Sequence, residues 1–516
     1  MNRFPTRFIL LCVALAFPSC RNQPGGEPAA NGPGRDRVFV SMDGLWISTP
    51  ETAMHFEPVT LKATVLISGS DTGEPTVRGC FTWEDRFRDY WWLQSIQVVD
   101  STNRVIITDR DGSTYMGSVN KEKTRINGWV YSMAQGELVP EDRLDFTRAS
   151  HLDTERLFTP RPPARDGSVS YCYREPEQLD DGLSTGSIFE VVKDSAALYS
   201  LMARLINQEF GRIESLLVLK DGKLVLEEYF YNYHRDEPHN VFSVTKSITS
   251  LVTGIALDAH HRTDVTLPLA EFFPGKASLL KGEKQQLNLE HLLTMTAGFA
   301  GDEEYEGLDQ DHLLDHILGH PLESLPGEVF RYNSDCPLLL GGVIHALTGK
   351  TAEEYARERL FGPLEISEYQ WYGENGVPFC HNGLSMLPRD MAKIGLLVLQ
   401  DGTWNGRQIV PGEWIAASIV PHVPESPYFN YGYQWWHRSP GTLPWWESDG
   451  PGARPAQQER PAPEMALAMG FGGQYIFILK ETDLVVVTTA SDYNESTGMA
   501  LKKIPLVEEE LWPLFR

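Results

Sequence analysis

The chain is short of positive charge: 45 Lys and Arg stand against 70 Asp and Glu, for a net charge of −25 at pH 7. With no basic excess to neutralise phosphates, the composition argues against nucleic acid as a partner. No long block of one sign occurs, so the acidity reads as a dispersed, soluble surface. Cysteine is sparse as well, with 6 in 516 residues. Their wide spacing excludes a zinc finger, and neither a metal nor a cofactor is expected. Long apolar runs are missing beyond the N-terminus, so nothing later in the chain is expected to cross a membrane.

What is present is ordinary globular material, 41% hydrophobic and 22% charged with 13 Trp, in a chain long enough for two or more domains. Arg3 and Arg7 precede a short apolar run ending at Phe17, then Pro18-Ser19-Cys20. This reads as an export signal over residues 1–20. Its end resembles a bacterial lipoprotein processing site with Cys20 lipidated, which would anchor the protein to the bacterial envelope. Simple export to the periplasm or medium is the alternative. Residues 21–36 have the composition of a flexible tether. Cys80, Cys172, Cys336 and Cys380 remain, and an exported chain could pair them in three ways.

From residue 37 to 150 short strand-like runs alternate with turn residues, the pattern of an all-β sandwich or small barrel. Its aromatic segment around Trp91-Trp92 reads as sheet packing. A proline-rich stretch at 151–167, with Pro160, Pro162 and Pro163, marks a linker. Beyond it, a helical pattern near 196–210 leads to a hairpin turning at Asp221-Gly222. Further helices follow, and strands return at Gln474–Leu479 and Leu484–Thr489. Strands thus open and close residues 168–516, which suggests an antiparallel sheet whose two ends pair in space beside a helical region.

Directly after the hairpin comes Phe242-Ser243-Val244-Thr245-Lys246. At 100° per residue Val244, Ile248, Leu251, Val252 and Ile255 form an apolar stripe, while Ser243, Lys246, Ser247 and Ser250 face away from it. A serine in the first turn with a lysine one turn later sets a nucleophile beside a proton acceptor, at the positive end of a helix. Ser-x-x-Lys alone is weak, and a capped helix start with a solvated lysine is the plain alternative.

Two more segments change the weighting: Phe330-Arg331-Tyr332-Asn333-Ser334 and Gly470-Phe471-Gly472-Gly473-Gln474. With the Ser243 segment they resemble, in order, the three active-site motifs of the serine β-lactamase and penicillin-binding-protein superfamily. The likeness is to its class C-like branch of esterases, amidases and D-amino-acid peptidases. Accessory phrases at Glu290–Gly298, Arg389–Lys393 and Tyr431–Trp436 agree. The resemblance implies an α+β fold: an antiparallel sheet flanked by helices, plus a helical subdomain, preceded by the separate all-β domain. It implies Ser243 as nucleophile, Lys246 and Tyr332 as general base and acid, and the backbone N–H groups of Ser243 and Gln474 as oxyanion hole. Ser334, Gly472 and Gly473 would line the substrate site.

Two departures bear on the substrate. The second motif ends in Ser334 where class C has asparagine, and Ser334-Asp335-Cys336 offers a class A-like reading. The third motif has Phe471 where a lysine or histidine often holds a substrate carboxylate. The reading is therefore a metal-free serine hydrolase forming an acyl-enzyme on a small-molecule ester or amide. A D,D-peptidase or β-lactamase is the alternative among enzymes, and an inactive binding protein the alternative outside them. Residues 437–465, rich in Pro and Gly, form an insertion just before the third motif. It is either surface loop or a lid bearing Trp445 and Trp446. Gly182-Leu183-Ser184-Thr185-Gly186 matches a hydrolase elbow but lacks the strand that motif requires. Asp71-Thr72-Gly73 has no second copy to pair with, and His260-His261 have no third ligand nearby.

Overall fold

The computed structural model describes the strands between Gly44 and Arg148, residues 120–122 and 124, and residues 171–516. Within the last span, residues 231–232, 234, 300, 302–304, 306, 425–428, 441–461, 494–497 and 499 are not described. The export signal with Cys20, the tether, the proline-rich linker, Asp71–Gly73, the aromatic side chains around Trp91, and Trp445 and Trp446 fall outside the described residues, as does the Cys80 side chain.

The first sheet has nine strands: β1 Gly44–Ser48, β2 Met54–Phe56, β3 Val59–Ser68, β4 Thr76–Trp83, β5 Trp91–Val99, β6 Arg104–Asp109, β7 Thr114–Val119, β8 Arg125–Ala134 and β9 Glu137–Arg148. From β2 to β9 each strand pairs antiparallel with the next, and β1 pairs with both β9 and β3, so the sheet closes on itself. Of the sandwich and barrel expected from sequence, this is the barrel, and closure removes the free edges a sandwich would leave. Val105, Tyr115, Ile126 and Phe146 are buried, with the Tyr115 and Phe146 rings edge to face at 5.1 Å. Gly117 and Gly128 face each other across β7 and β8, where a Cβ on Gly117 would lie 2.6 Å from the Tyr115 hydroxyl.

The second sheet also has nine strands and carries the candidate site. They are β10 Ser184–Thr185, β11 Ile213–Lys220, β12 Lys223–Tyr229, β13 Val423–Pro424, β14 Asn430–Tyr431, β15 Trp436–Arg438, β16 Met465–Gly470, β17 Gln474–Leu479 and β18 Leu484–Ala490. Their order is β10-β12-β11-β18-β17-β16-β15-β14-β13. All pairings are antiparallel except β10 with β12. The expected closure of the two chain ends is the β11–β18 pair, in which Leu217 lies opposite Val487. The β11–β12 hairpin turns at Asp221 and Gly222, both at positive φ, as the Asp-Gly pair requires. His437 and Arg438 belong to β15, so the expected insertion begins after them and connects two neighbouring strands.

Alternate residues of the central strands serve different cores. Leu217, Leu219, Ile476, Ile478, Val485 and Val487 pack with α2 Val244–Ala259, α3 Asp335–Thr348 and α4 Pro388–Leu399. Leu216, Val218, Phe477, Leu479, Leu484 and Val486 pack with α1 Ser195–Ile206 and the C-terminal turns from Ile504 to Phe515. Helices thus cover both faces of the sheet, which is why these strands read as unbroken apolar runs. The fold is α+β. Among the described residues no helix is long and apolar enough to cross a membrane.

Cys336 and Cys380 are free thiols, so the possible bridge between these two does not form. Cys336 and Cys380 are buried in the core as small apolar side chains. Ser184 sits exposed on the two-residue β10, which is no elbow. His260 and His261 close α2 at the surface.

Candidate active site

Helix α2 departs from the sequence reading in one respect. Its apolar stripe is buried as expected, but so is the face bearing Lys246, Ser247 and Ser250, and every residue from Val244 to Leu257 is buried. The polar face meets other polar groups. Ser247 Oγ donates to the Gln434 carbonyl at 2.7 Å, and Gln434 Nε2 donates to the Leu292 carbonyl at 2.8 Å.

Ser243 stands at the N-cap of α2, yet its side chain makes no capping bond. Its Oγ instead accepts from Lys246 Nζ at 3.0 Å. Lys246 is 3% exposed, and its Nζ also donates to the main-chain oxygen of His381 at 2.8 Å. A capped helix start with a solvated lysine is thereby excluded.

The turn before Ser243 is strained. Phe242 has φ +47°, a left-handed conformation unusual for a bulky residue. Asn240 Oδ1 holds the Phe242 N–H at 2.8 Å. Thr245 Oγ1 donates to the Phe242 carbonyl at 2.6 Å and accepts from the Leu384 N–H at 3.2 Å. The left-handed turn swings the Phe242 ring against Phe471 and Tyr493, at centroid distances of 5.6 and 5.8 Å.

Tyr332 comes from the loop that leads into α3. Lys246 Nζ lies 4.9 Å from its ring centroid, and its hydroxyl is engaged with the Ser243 side chain. Burial around that hydroxyl raises the phenol above its usual range, partly opposed by the Ser243 bond, so the resting group is protonated. The residue is 39% exposed, and its ring leans on Trp436 at 5.5 Å. The accessory phrases place it: the Arg331 N–H donates to the Met295 carbonyl at 2.9 Å, and the Gln434 N–H to the Leu293 carbonyl at 2.9 Å. Asn333 is spent on the helix start, its Oδ1 accepting from the Cys336 N–H at 2.9 Å, while Ser334 is the buried N-cap residue of α3.

The third motif is the hairpin between β16 and β17. A Cβ on Gly470 would lie 2.2 Å from the Val241 carbonyl oxygen, so this strand runs against the turn that bears Ser243. Gly472 and Gly473 have φ of +80° and +101°, which explains why both are glycine. Gln474 is buried, and its side chain clasps the backbone of Ala490, donating to the carbonyl and accepting from the N–H. Phe471 is 41% exposed.

His381 is the residue sequence reasoning missed. Its carbonyl holds Lys246, and its imidazole is buried beside that ammonium. Burial, and then the Lys246 charge, push its pKa well below the usual histidine range, so the ring is neutral. The Cys336 thiol is likewise pushed up by burial and by Asp335, which disfavours a thiolate nucleophile. Among the described residues no group of acidic, histidine or cysteine side chains could hold a metal.

A helix-covered antiparallel sheet, with serine and lysine opening its buried helix and tyrosine and a glycine-rich hairpin beside them, defines the serine β-lactamase and penicillin-binding-protein superfamily. Residues 213–504, more than half of the chain, match the Beta-lactamase family, and the chain belongs to that family. A 6-aminohexanoate-dimer hydrolase from Paenarthrobacter ureafaciens is 23% identical over 360 residues, covering 64% of this chain and 83% of that protein. A candidate D-alanyl-D-alanine carboxypeptidase of Salmonella paratyphi A is 25% identical over 214 residues, covering 36% of this chain and 49% of that protein. A solved structure from Bacteroides dorei, described as a candidate β-lactamase, is 17% identical with a TM-score of 0.50, covering 62% of this chain and 98% of that one. The chain is a hydrolase of this superfamily.

Proposed function

We propose that the protein hydrolyses a carboxylic ester or amide through an acyl-enzyme on Ser243. The observation that carries this is the approach of Lys246 Nζ to Ser243 Oγ at 3.0 Å, with the Ser243 side chain making no helix cap and Lys246 buried. In the reactive form the Lys246 ammonium has first lost a proton to water; Ser243 Oγ then bonds to the acyl carbon and its proton passes to the neutral Lys246 amine. The protonated Tyr332 gives its proton to the departing alcohol or amine and is restored from Lys246. In the second half water attacks the acyl carbon, surrenders its proton to the same pair, and Ser243 leaves as the hydroxyl. The N–H groups of Ser243 and Gln474 bind the oxyanion.

The substrate reading rests on Phe471. An exposed aromatic ring stands where a cation would meet a carboxylate, flanked by Phe242 and Tyr493, which favours a neutral, apolar acyl group. The similarity to a 6-aminohexanoate-dimer hydrolase supports amides as well as esters.

The test is intact mass after incubation with a fluorophosphonate, for wild type and Ser243→Ala. One adduct in wild type and none in the variant is expected. No adduct on folded wild type overturns the reading and leaves a binding protein of the same fold. Acylation by penicillin, faster than by simple esters, would move the substrate to the cell-wall class.

A further inference from the structure

The Gly472–Gly473 turn poses a mechanical problem. Two successive glycines at positive φ have the greatest backbone freedom of any pair and no side chains with which to pack. Yet the next N–H, that of Gln474, must sit within a few tenths of an ångström of its target to serve as an oxyanion donor.

The turn is held from behind by Asp492 and Lys503, two residues no motif contains. The Asp492 N–H donates to the Gly472 carbonyl at 3.0 Å. The Asp492 carboxylate accepts from the Arg212 N–H, with both oxygens at 3.0 Å, and is ion-paired with Lys503. The Lys503 side chain is fully buried, and its stem runs beneath Gly473, where a Cβ would lie 2.8 Å from Cε and 3.2 Å from Nζ. The same ammonium lies against Gly211 in β11's approach, so it is clamped between the sheet core and the turn. Thr488 Oγ1 closes the other side, donating to the Gly473 carbonyl at 3.0 Å.

Burying an ion pair is a poor way to gain stability, because desolvation cancels most of the attraction; its better-attested use is to fix one geometry among several. Lys503 cannot touch a substrate from its buried position. We infer that the Lys503–Asp492 pair is a positioning device that fixes the Gly472–Gly473–Gln474 turn, and with it the second oxyanion donor. The inference rests on the acyl-enzyme reading above. It assigns to the C-terminal turns a part in setting the site: through Lys503 they hold the third motif in register with Ser243.

The experiment compares wild type with Lys503→Met/Asp492→Asn, which removes both charges and keeps both shapes and the Asp492 backbone donor. A folded variant with kcat reduced about 10- to 100-fold on a p-nitrophenyl ester, KM within about threefold, and amide exchange of residues 471–475 accelerated at least about tenfold is expected. A kcat within twofold of wild type, or unchanged exchange in that segment, overturns the inference. If the double variant does not fold, Asp492→Asn alone is read in the same way. A wild type that neither hydrolyses esters nor takes the fluorophosphonate sinks the acyl-enzyme reading instead, and the exchange measurement then decides the positioning by itself.

Discussion

Replacing Lys246 by methionine separates catalysis from stability. Methionine keeps the length and the apolar stem, so packing around the buried residue changes by less than about 1.5 kcal/mol. The bond to Ser243 Oγ at 3.0 Å and the bond to the His381 carbonyl at 2.8 Å are lost, along with the ammonium's contact with the Tyr332 ring. The stranded carbonyl costs about 1–3 kcal/mol. Against that, the fold no longer buries an ammonium, a burden of several kcal/mol in a site this dry. The melting temperature should therefore hold or rise. Activity should move the other way. Without the acceptor, kcat/KM for a p-nitrophenyl ester should fall by about 10²–10⁴, or about 3–5 kcal/mol in the barrier, with fluorophosphonate labelling slowed alongside. Calorimetry and initial rates on the same preparations make the comparison. Labelling within threefold of wild type would refute the assignment of Lys246 as base. A fall in both stability and rate would make it a structural lysine.

Tyr332→Phe keeps the ring on Trp436 but removes the proton donor, so kcat should drop about 100-fold or more at nearly constant KM; rates within threefold would assign the donor elsewhere. Phe471→Lys restores a cation at an exposed position, and the preference for a carboxylate-bearing ester over its neutral analogue should rise about tenfold; an unchanged ratio removes the argument from Phe471. Glu214 is fully buried near Arg212, His239 and Asp492, and burial lifts its carboxyl to about 8 against an ordinary 4.5. The native state thus keeps a proton that the unfolded chain releases, and this contribution is whole below pH 4.5 and lost as pH climbs through 8. The melting temperature of Glu214→Gln relative to wild type should accordingly rise from pH 5 to pH 8, and a relative fall would contradict the burial argument.

The sheet was legible because both of its faces are covered: Leu216–Leu219, Ile476–Leu479 and Leu484–Val487 are apolar without alternation, and Asp221-Gly222 names its own turn. The meeting of Ser243, Lys246 and Tyr332 was legible because the family's motifs place those side chains at set positions in the chain. The buried polar face of α2 was not, since Ser247 and Ser250 look solvated until Gln434 and Trp414 arrive from beyond residue 400. Nor was the His381 carbonyl, because a main-chain acceptor leaves no mark on residue type. The free state of Cys336 and Cys380 depends on where the core places them, which spacing does not encode.

The order of strands in the second sheet has a consequence for biosynthesis. Ser243 and Lys246 emerge from the ribosome about midway through synthesis, in a helix that follows β12. The strands at the centre of the sheet, β16 to β18, are nearly the last to be made, and β18 is what joins β11 to the rest. A nascent chain therefore carries its serine and lysine for nearly half of its synthesis without the completed sheet or the hairpin that faces them. Such non-local pairing is slow to form. The cluster around Ser243 is therefore completed only once β16 to β18 have been made, and a copy ending before β16 is expected to take no fluorophosphonate label.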